Sequence, residues 1–253
     1  MFQIERQEKL LQHINRHKKA EIQELSRLYG VSKVTIRRDI DELAAKGLIL
    51  KTHGGALSLK TNLSFEIPFD AKSETNVDAK RRIGQWAAGL VESGDIIILD
   101  SGSTTLEIAR HLPPSAITVL TNDLKIAMEL ARKKPIQLIV AGGSLKESVY
   151  TLTGSRTVEF FRSVHANKTF LGCDAVDLSF GVSNRTLEEV AVKQAMLAAA
   201  DEIIMVTDAS KLHSKVFCRL CDIKAIGKLV IDRIDEPARA SFEQAGVDVI
   251  VVP

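Results

Sequence analysis

From residue 96 onward, short apolar runs alternate with segments of helical periodicity, and no other feature constrains the fold so tightly. The apolar runs fall at 96–99, 118–120, 137–141, 168–171, 202–206, 228–231 and 248–252, and helical spacing occupies 106–111, 124–131, 187–200 and 237–245. Alternation of this kind over this length predicts an α/β domain with a mainly parallel sheet. Ligands of such sheets bind outside the carboxyl ends of the strands.

Polar turns recur at those ends. Asp100-Ser101-Gly102-Ser103-Thr104-Thr105 follows the first run, Thr121-Asn122-Asp123 the second and Gly142-Gly143-Ser144 the third. Gly172-Cys173-Asp174 and Thr207-Asp208-Ala209-Ser210-Lys211 follow two later ones. One polar turn is ordinary; the repetition points to a shared crevice. In the 100–105 turn, strand, polar loop and helix start aim backbone N–H groups and a positive helix end at an anion. Its hydroxyls add donors, and Gly102 lets the backbone approach. Lys211 suits phosphate as a point charge. Asp174 and Asp208 suit sugar hydroxyls, Asn122 bonds in either sense, and Thr121, Gly142 and Gly143 complete the expected lining. Lys193 is four residues after Glu189 on an expected helix, so it either forms an i,i+4 ion pair or faces the ligand. The expected ligand is phosphorylated and rich in hydroxyls.

The front of the chain differs in charge. Residues 1–60 hold 12 Lys/Arg against 7 Asp/Glu, and the remaining residues hold 22 against 25. A basic front on an acidic body suits an anionic partner such as nucleic acid. Residues 3–16 read as an amphipathic helix with Ile4, Leu10, Leu11 and Ile14 apolar. A second helix spans 21–29, with Ile22, Leu25 and Leu28 on one face, and Gly30 ends it. Ser32 is a good N-cap for a third, whose apolar Val34, Ile36, Ile40 and Leu43 are expected to pack inward. Two helices joined by a glycine-containing turn form a helix-turn-helix. Ser32, Lys33, Thr35, Arg37 and Arg38 cluster at the start of the third helix, where a recognition helix meets bases and phosphates. Residues 48–59 then read as a hairpin around His53-Gly54-Gly55, a wing with Lys51 and His53 as candidate phosphate contacts. The expected organisation is a winged helix over 1–59, a polar linker over 60–77 with Phe65 and Phe69 as candidate anchors, and an α/β domain over 78–253. Lys80, Arg81 and Arg82, near the start of a helix over 78–92, are expected to be solvated.

The run from Ser32 to Leu43, with Thr35-Ile36-Arg37-Arg38-Asp39 at its centre and His53-Gly54-Gly55-Ala56 after it, resembles the N-terminal winged helix of DeoR-family bacterial repressors. The later domain resembles the effector domain of that family and, more distantly, ribose-5-phosphate isomerase. Residues 100–105 are similar to the isomerase phosphate loop, and Gly172-Cys173-Asp174-Ala175-Val176-Asp177 to its paired-acid motif, with Glu189 near the place of its catalytic glutamate. The lysine expected just after the paired acids is missing from Leu178–Ser183. The resemblance implies a regulator of sugar metabolism that binds operator DNA. With the site chemistry, the expected effector is a phosphorylated sugar or sugar alcohol, and release of the DNA on binding it is the expected response, with co-repression the alternative. A sugar-phosphate isomerase with an appended nucleic-acid module is the alternative. No catalytic residue, metal or cofactor is expected, and operator symmetry implies a dimer or tetramer.

At 45% hydrophobic and 26% charged residues the chain is globular. No apolar run approaches the ~18 residues that span a bilayer, and Met1–Arg6 lacks a signal-peptide layout. The three cysteines build no disulfide framework. A cytoplasmic location is expected. Cys218-x-x-Cys221 has no companion pair at zinc spacing and is expected to pack as ordinary core.

Overall fold

A computed structural model describes residues 2–46, 48–52, 54–58 and 66–253. Its contacts divide the chain into two compact units, Met1–Lys72 and Ser73–Pro253.

The first unit runs α1 (Gln3–His17), β1 (Lys19–Glu21), α2 (Ile22–Tyr29), α3 (Lys33–Ala45), β2 (Ile49–Lys51), β3 (Gly55–Ser58) and α4 (Phe69–Ser73), the last crossing the boundary between units. Leu10, Ile14, Ile22, Leu25, Ile36, Ile40, Leu43 and Ile49 close its core. Gly30 ends α2 in the left-handed conformation, and the Ser32 hydroxyl caps α3 by accepting from Thr35 N. β2 and β3 form the expected antiparallel hairpin. β1 adds a third strand on the far side of β3, where helical spacing had simply lapsed at 17–20. Three apolar expectations fail. Ile4, Leu28 and Val34 are 75%, 55% and 71% exposed. Ile4 sits in the first turn of α1 and Leu28 in the last turn of α2. Val34 falls outside the i, i+4, i+7 line of Ile36, Ile40 and Leu43 that faces the core. Phe69 is buried, and Phe65 lies outside the described residues.

The second unit opens with α5 (Val77–Ala88). The sheet strands are β4 (Ile96–Leu99), β5 (Thr118–Thr121), β6 (Gln137–Val140), β9 (Ala166–Leu171), β12 (Ala200–Thr207), β14 (Lys228–Ile231) and β15 (Asp248–Val251). Between them lie α6 (Ser103–His111), α7 (Leu124–Leu130), α8 (Ser155–Arg162), α9 (Leu187–Ala198) and α10 (Glu236–Gln244). Two small antiparallel additions are β7 (Ser144–Lys146) with β8 (Thr151–Thr153), and β10 (Ala175–Asp177) with β11 (Gly181–Asn184) and β13 (Cys218–Cys221). The main sheet is parallel throughout, in the order β15-β14-β12-β9-β4-β5-β6. Strand order therefore reverses between β4 and β9, the seam where ligands of parallel sheets bind. Ile97, Ile98, Leu99, Phe170, Leu171 and Met205 are wholly buried along its central strands, each stabilising the fold by roughly 1.5–3 kcal/mol.

Close packing has its own sequence requirements. A Cβ on Gly84 of α5 would stand 2.4 Å from Glu107 Cβ of α6, so the two helices meet only because residue 84 has no side chain. Lys80 is 6% exposed and donates to Thr75 O at 2.7 Å, contrary to the expected solvated face. Its register with Ile83, Gly84 and Ala87 places it on the buried side of α5. Cys218 lies in the core and Cys221 packs against it.

Candidate functional site

In the first unit the candidate site is the start of α3. Ser32 and Thr35 are occupied with each other, their hydroxyls 2.9 Å apart at the cap. Lys33, Arg37 and Arg38 are exposed. Arg38 donates to Glu42 at 3.3 Å, and Glu42 accepts from Gln3 and Gln7 of α1 at 2.7 Å each. Arg37 and Lys33 have no side-chain partner among the described residues. Behind them Asp39, 1% exposed, takes Arg6 Nε at 2.6 Å and Nη2 at 3.1 Å. The Asp39 bond holds the Arg6 guanidinium pKa above its usual value, and this fork locks α3 to α1. Lys51 pairs with Asp41 of α3, which braces the hairpin against the helix. His53 lies outside the described residues.

In the second unit the candidate residues gather at the carboxyl ends of β4, β5, β9 and β12. α6 begins three residues earlier than periodicity suggests, so Ser103, Thr104 and Thr105 form its first turn. Gly102 is its N-cap and no side chain caps it. Thr105 is buried and donates to Gly102 O at 2.9 Å. The Ser103 and Thr104 hydroxyls are half-buried and have no partner among the described residues. That leaves an uncapped, half-buried turn with its backbone N–H groups and two hydroxyls at a positive helix end.

The flanking acids are already engaged. Asp100 is 1% exposed, accepts from Gly172 N at 2.9 Å and forms an ion pair with Lys193. Lys193 also donates to Gly172 O at 3.0 Å. Burial pushes the Asp100 carboxyl up, with Lys193 opposing it. Burial opposes the Lys193 charge as well, yet Asp100 beside it holds the ammonium above its usual pKa. Of the two alternatives for Lys193, neither an i,i+4 bridge to Glu189 nor a bare ligand cation describes it; its direct ionic partner is Asp100. Asp123 caps α7, accepting from Lys125 N and Ile126 N, and takes the Ser101 hydroxyl at 2.6 Å. Thr121 donates to Leu99 O at 2.8 Å. Asn122 donates to Leu152 O at 2.9 Å, and its Oδ1 is buried without a hydrogen bond. Asp174 accepts from Asn184 Nδ2 at 3.2 Å and Arg185 N at 3.3 Å.

Asp208 corrects an expectation. It caps the short turn Ala209–Lys211, accepting from Ser210 N at 3.0 Å, and accepts from Asn76 Nδ2 at 2.8 Å. Its Oδ1 is a fastening rather than an open acceptor for sugar hydroxyls. Lys211, in that turn, is half-buried and its ammonium has no partner among the described residues. Gly142 and Gly143 follow the end of β6. Gly142 O accepts from Thr157 at 2.7 Å, and a Cβ on Gly143 would fall 2.1 Å from Thr157 Oγ1 and 2.5 Å from Thr153 O. Gly143 lets the chain pass tightly over α8 and β8, whereas a Cβ on Gly142 would meet nothing within 4 Å.

Sequence reasoning missed the β7–β8 hairpin. Thr151 bonds Ser101 hydroxyl to hydroxyl, Leu152 O takes Asn122, and Lys146 donates to Thr186 at 3.1 Å, with Glu189 3.9 Å away. The hairpin thus spans from the β4 and β5 ends to the start of α9. Strands of three residues carry no readable period. The Cys173 thiol is pushed up to about 11 by burial and Cys221 to about 12, so both stay protonated.

Comparison with known proteins decides the family. The DeoR C-terminal sensor domain family matches residues 75–233, and the DeoR-like helix-turn-helix domain family matches 6–62. The chain belongs to the DeoR family of transcriptional regulators. A DeoR-family relative, the uncharacterised HTH-type transcriptional regulator YulB of Bacillus subtilis (strain 168), is 34% identical over 100% of this chain and 98% of its own. The putative aga operon transcriptional repressor of Escherichia coli O157:H7 is 34% identical over 98% of this chain and 93% of its own. Among solved structures, ribose 5-phosphate isomerase A from Methanocaldococcus jannaschii aligns with 55% of each chain at 18% identity and a TM-score of 0.41. The chain is a DNA-binding regulator of transcription with a winged helix-turn-helix and an α/β sensor domain. No helix of the described residues is long and apolar enough to cross a membrane.

Proposed function

We propose that this DeoR-family regulator represses carbohydrate genes, gripping operator DNA with the start of α3 and releasing it when a phosphorylated sugar or sugar alcohol binds at the ends of β4, β9 and β12. The winged helix occupies 1–59, a linker 60–77 and the sensor 78–253, and the working form is a dimer or tetramer that matches a symmetric operator. One observation supports the effector class above the rest. Among the described residues, the uncapped α6 turn with Ser103 and Thr104 and the Lys211 ammonium are open donors of this region. The Asp100, Asp123 and Asp208 carboxylates are already hydrogen-bonded. Unspent donors and spent acceptors favour an anion, and phosphate above all. Asn122 Oδ1, buried without a hydrogen bond among the described residues, remains to meet a hydroxyl. Release follows only if the effector binds one arrangement of the protein better than the other.

A thermal-shift panel of sugar phosphates beside their unphosphorylated parents tests this, because a ligand of the native state raises the melting temperature. The hit is then titrated into a gel shift with operator DNA. The expected result is a rise for one phosphorylated compound and loss of the shifted band. A rise for the unphosphorylated sugar alone overturns the phosphate assignment. Conversion of an aldose phosphate to its ketose replaces the sensor reading with an isomerase.

A further inference from the structure

Val34 has no place in the core. It is 71% exposed, whereas Ile36, Ile40 and Leu43 of the same helix are 0%, 1% and 3% exposed. Helical spacing puts Val34, Arg37, Arg38 and Asp41 at i, i+3, i+4 and i+7, one continuous outer face. Two members of that face are engaged elsewhere, Arg38 with Glu42 and Asp41 with Lys51. Val34 and Arg37 remain, an apolar knob beside a cation with no partner among the described residues. A duplex major groove offers a match for both. Guanine O6 and N7 take an arginine fork, and thymine alone presents an apolar group, its C5-methyl.

We infer that Val34 is a base-reading residue whose side chain packs on a thymine methyl within two base pairs of the guanine read by Arg37. The inference rests on α3 being the DNA reader. Side chains three residues apart on a helix are about 5–6 Å apart at Cβ, and base pairs rise about 3.4 Å per step, which sets the two-pair limit. An apolar contact of this kind adds sequence preference without adding charge, so it leaves the salt dependence of binding to the cations.

The test uses the full chain and a duplex obtained by selection from a random library. Each thymine of the selected half-site is replaced singly by deoxyuridine, which removes only the methyl. One position is expected to cost the unaltered protein about fourfold in affinity, the worth of one buried methyl group. Val34→Ala, with an unchanged melting temperature, is expected to bind the thymine and uridine duplexes equally. A uridine series with no effect, or a Val34→Ala protein that keeps the full thymine preference, overturns the inference. Arg37→Ala separates the two levels. If it binds as tightly as the unaltered chain, α3 is not the reader; if it binds weakly while the Val34 cycle shows no coupling, only the methyl contact fails.

Discussion

Lys193 and Asp100 form a buried ion pair across the seam where the strand order of the sheet reverses, with side chains 7% and 2% exposed. Gly172 closes the arrangement, its N–H on Asp100 and its carbonyl on Lys193. Two charges taken out of water hold only when geometry and further hydrogen bonds are good, and both are present. The pair fastens α9 and the β9 turn to the end of β4, which orients the first turn of α6.

Removing either partner strands the other in a dry site. Lys193→Met and Asp100→Asn are each expected to destabilise the sensor by roughly 3–5 kcal/mol. The double variant should cost less than the two losses added. Trp86, the sole tryptophan, lies in α5, so its fluorescence during urea unfolding reports on this unit.

Lys211 and Asp208 sit three residues apart and should separate cleanly. Lys211→Ala is expected to keep the melting temperature and operator affinity but lose the response to sugar phosphate. Asp208→Ala removes a cap and the tie to Asn76, a loss of roughly 0.5–2 kcal/mol. Parallel thermal-shift and gel-shift titrations check both, and a Lys211→Ala protein that still responds to the effector contradicts the assignment.

Gly143→Ala drives a Cβ into Thr157 Oγ1 and Thr153 O. Backbone must move, so a loss of roughly 1–3 kcal/mol is expected, read from the same Trp86 unfolding curve. Thr104→Val keeps shape and breaks no side-chain hydrogen bond among the described residues, so stability should hold while sugar-phosphate affinity falls.

Asp177 governs part of the acid limb. Its carboxylate is held at about 2, below the usual 3.8, chiefly by the Ser179 hydroxyl, with the N–H groups of Ser179 and Phe180 and the Lys215 ammonium adding to it. A depressed folded-state pKa gives stability that is complete above the unfolded value and is lost as pH falls toward the folded one. Melting temperatures at pH 5, 4, 3 and 2 are expected to fall less steeply for Asp177→Asn than for the unaltered chain across the window from 3.8 to 2.

Much of the local structure around the candidate site was legible because its signals are local. The Ser32 cap, the Gly30 stop and the hairpin of β2 and β3 each depend on neighbours within a few residues. The parallel strands were legible because each is an apolar run followed by a polar turn. Val34 was misread because a residue at the start of a helix belongs to a face only once the register of the whole helix is known. Lys80 was misread for the converse reason: a charge run reads as solvated until a carbonyl such as Thr75 O is there to receive one member.

Sequence by itself determined the classes of element, the two-part organisation, and the polar turns at the strand ends, since propensity, periodicity and turn chemistry act over short stretches. Tertiary structure decided which polar groups stay open. Asp100 finds Lys193 93 positions away, Asn76 reaches Asp208 across 132, and Ser101 is taken by Asp123 and Thr151. Hydrogen-bond capacity is spent pair by pair between distant segments. Only the folded chain shows that, among the described residues, the Ser103 and Thr104 hydroxyls and the Lys211 ammonium are left unspent.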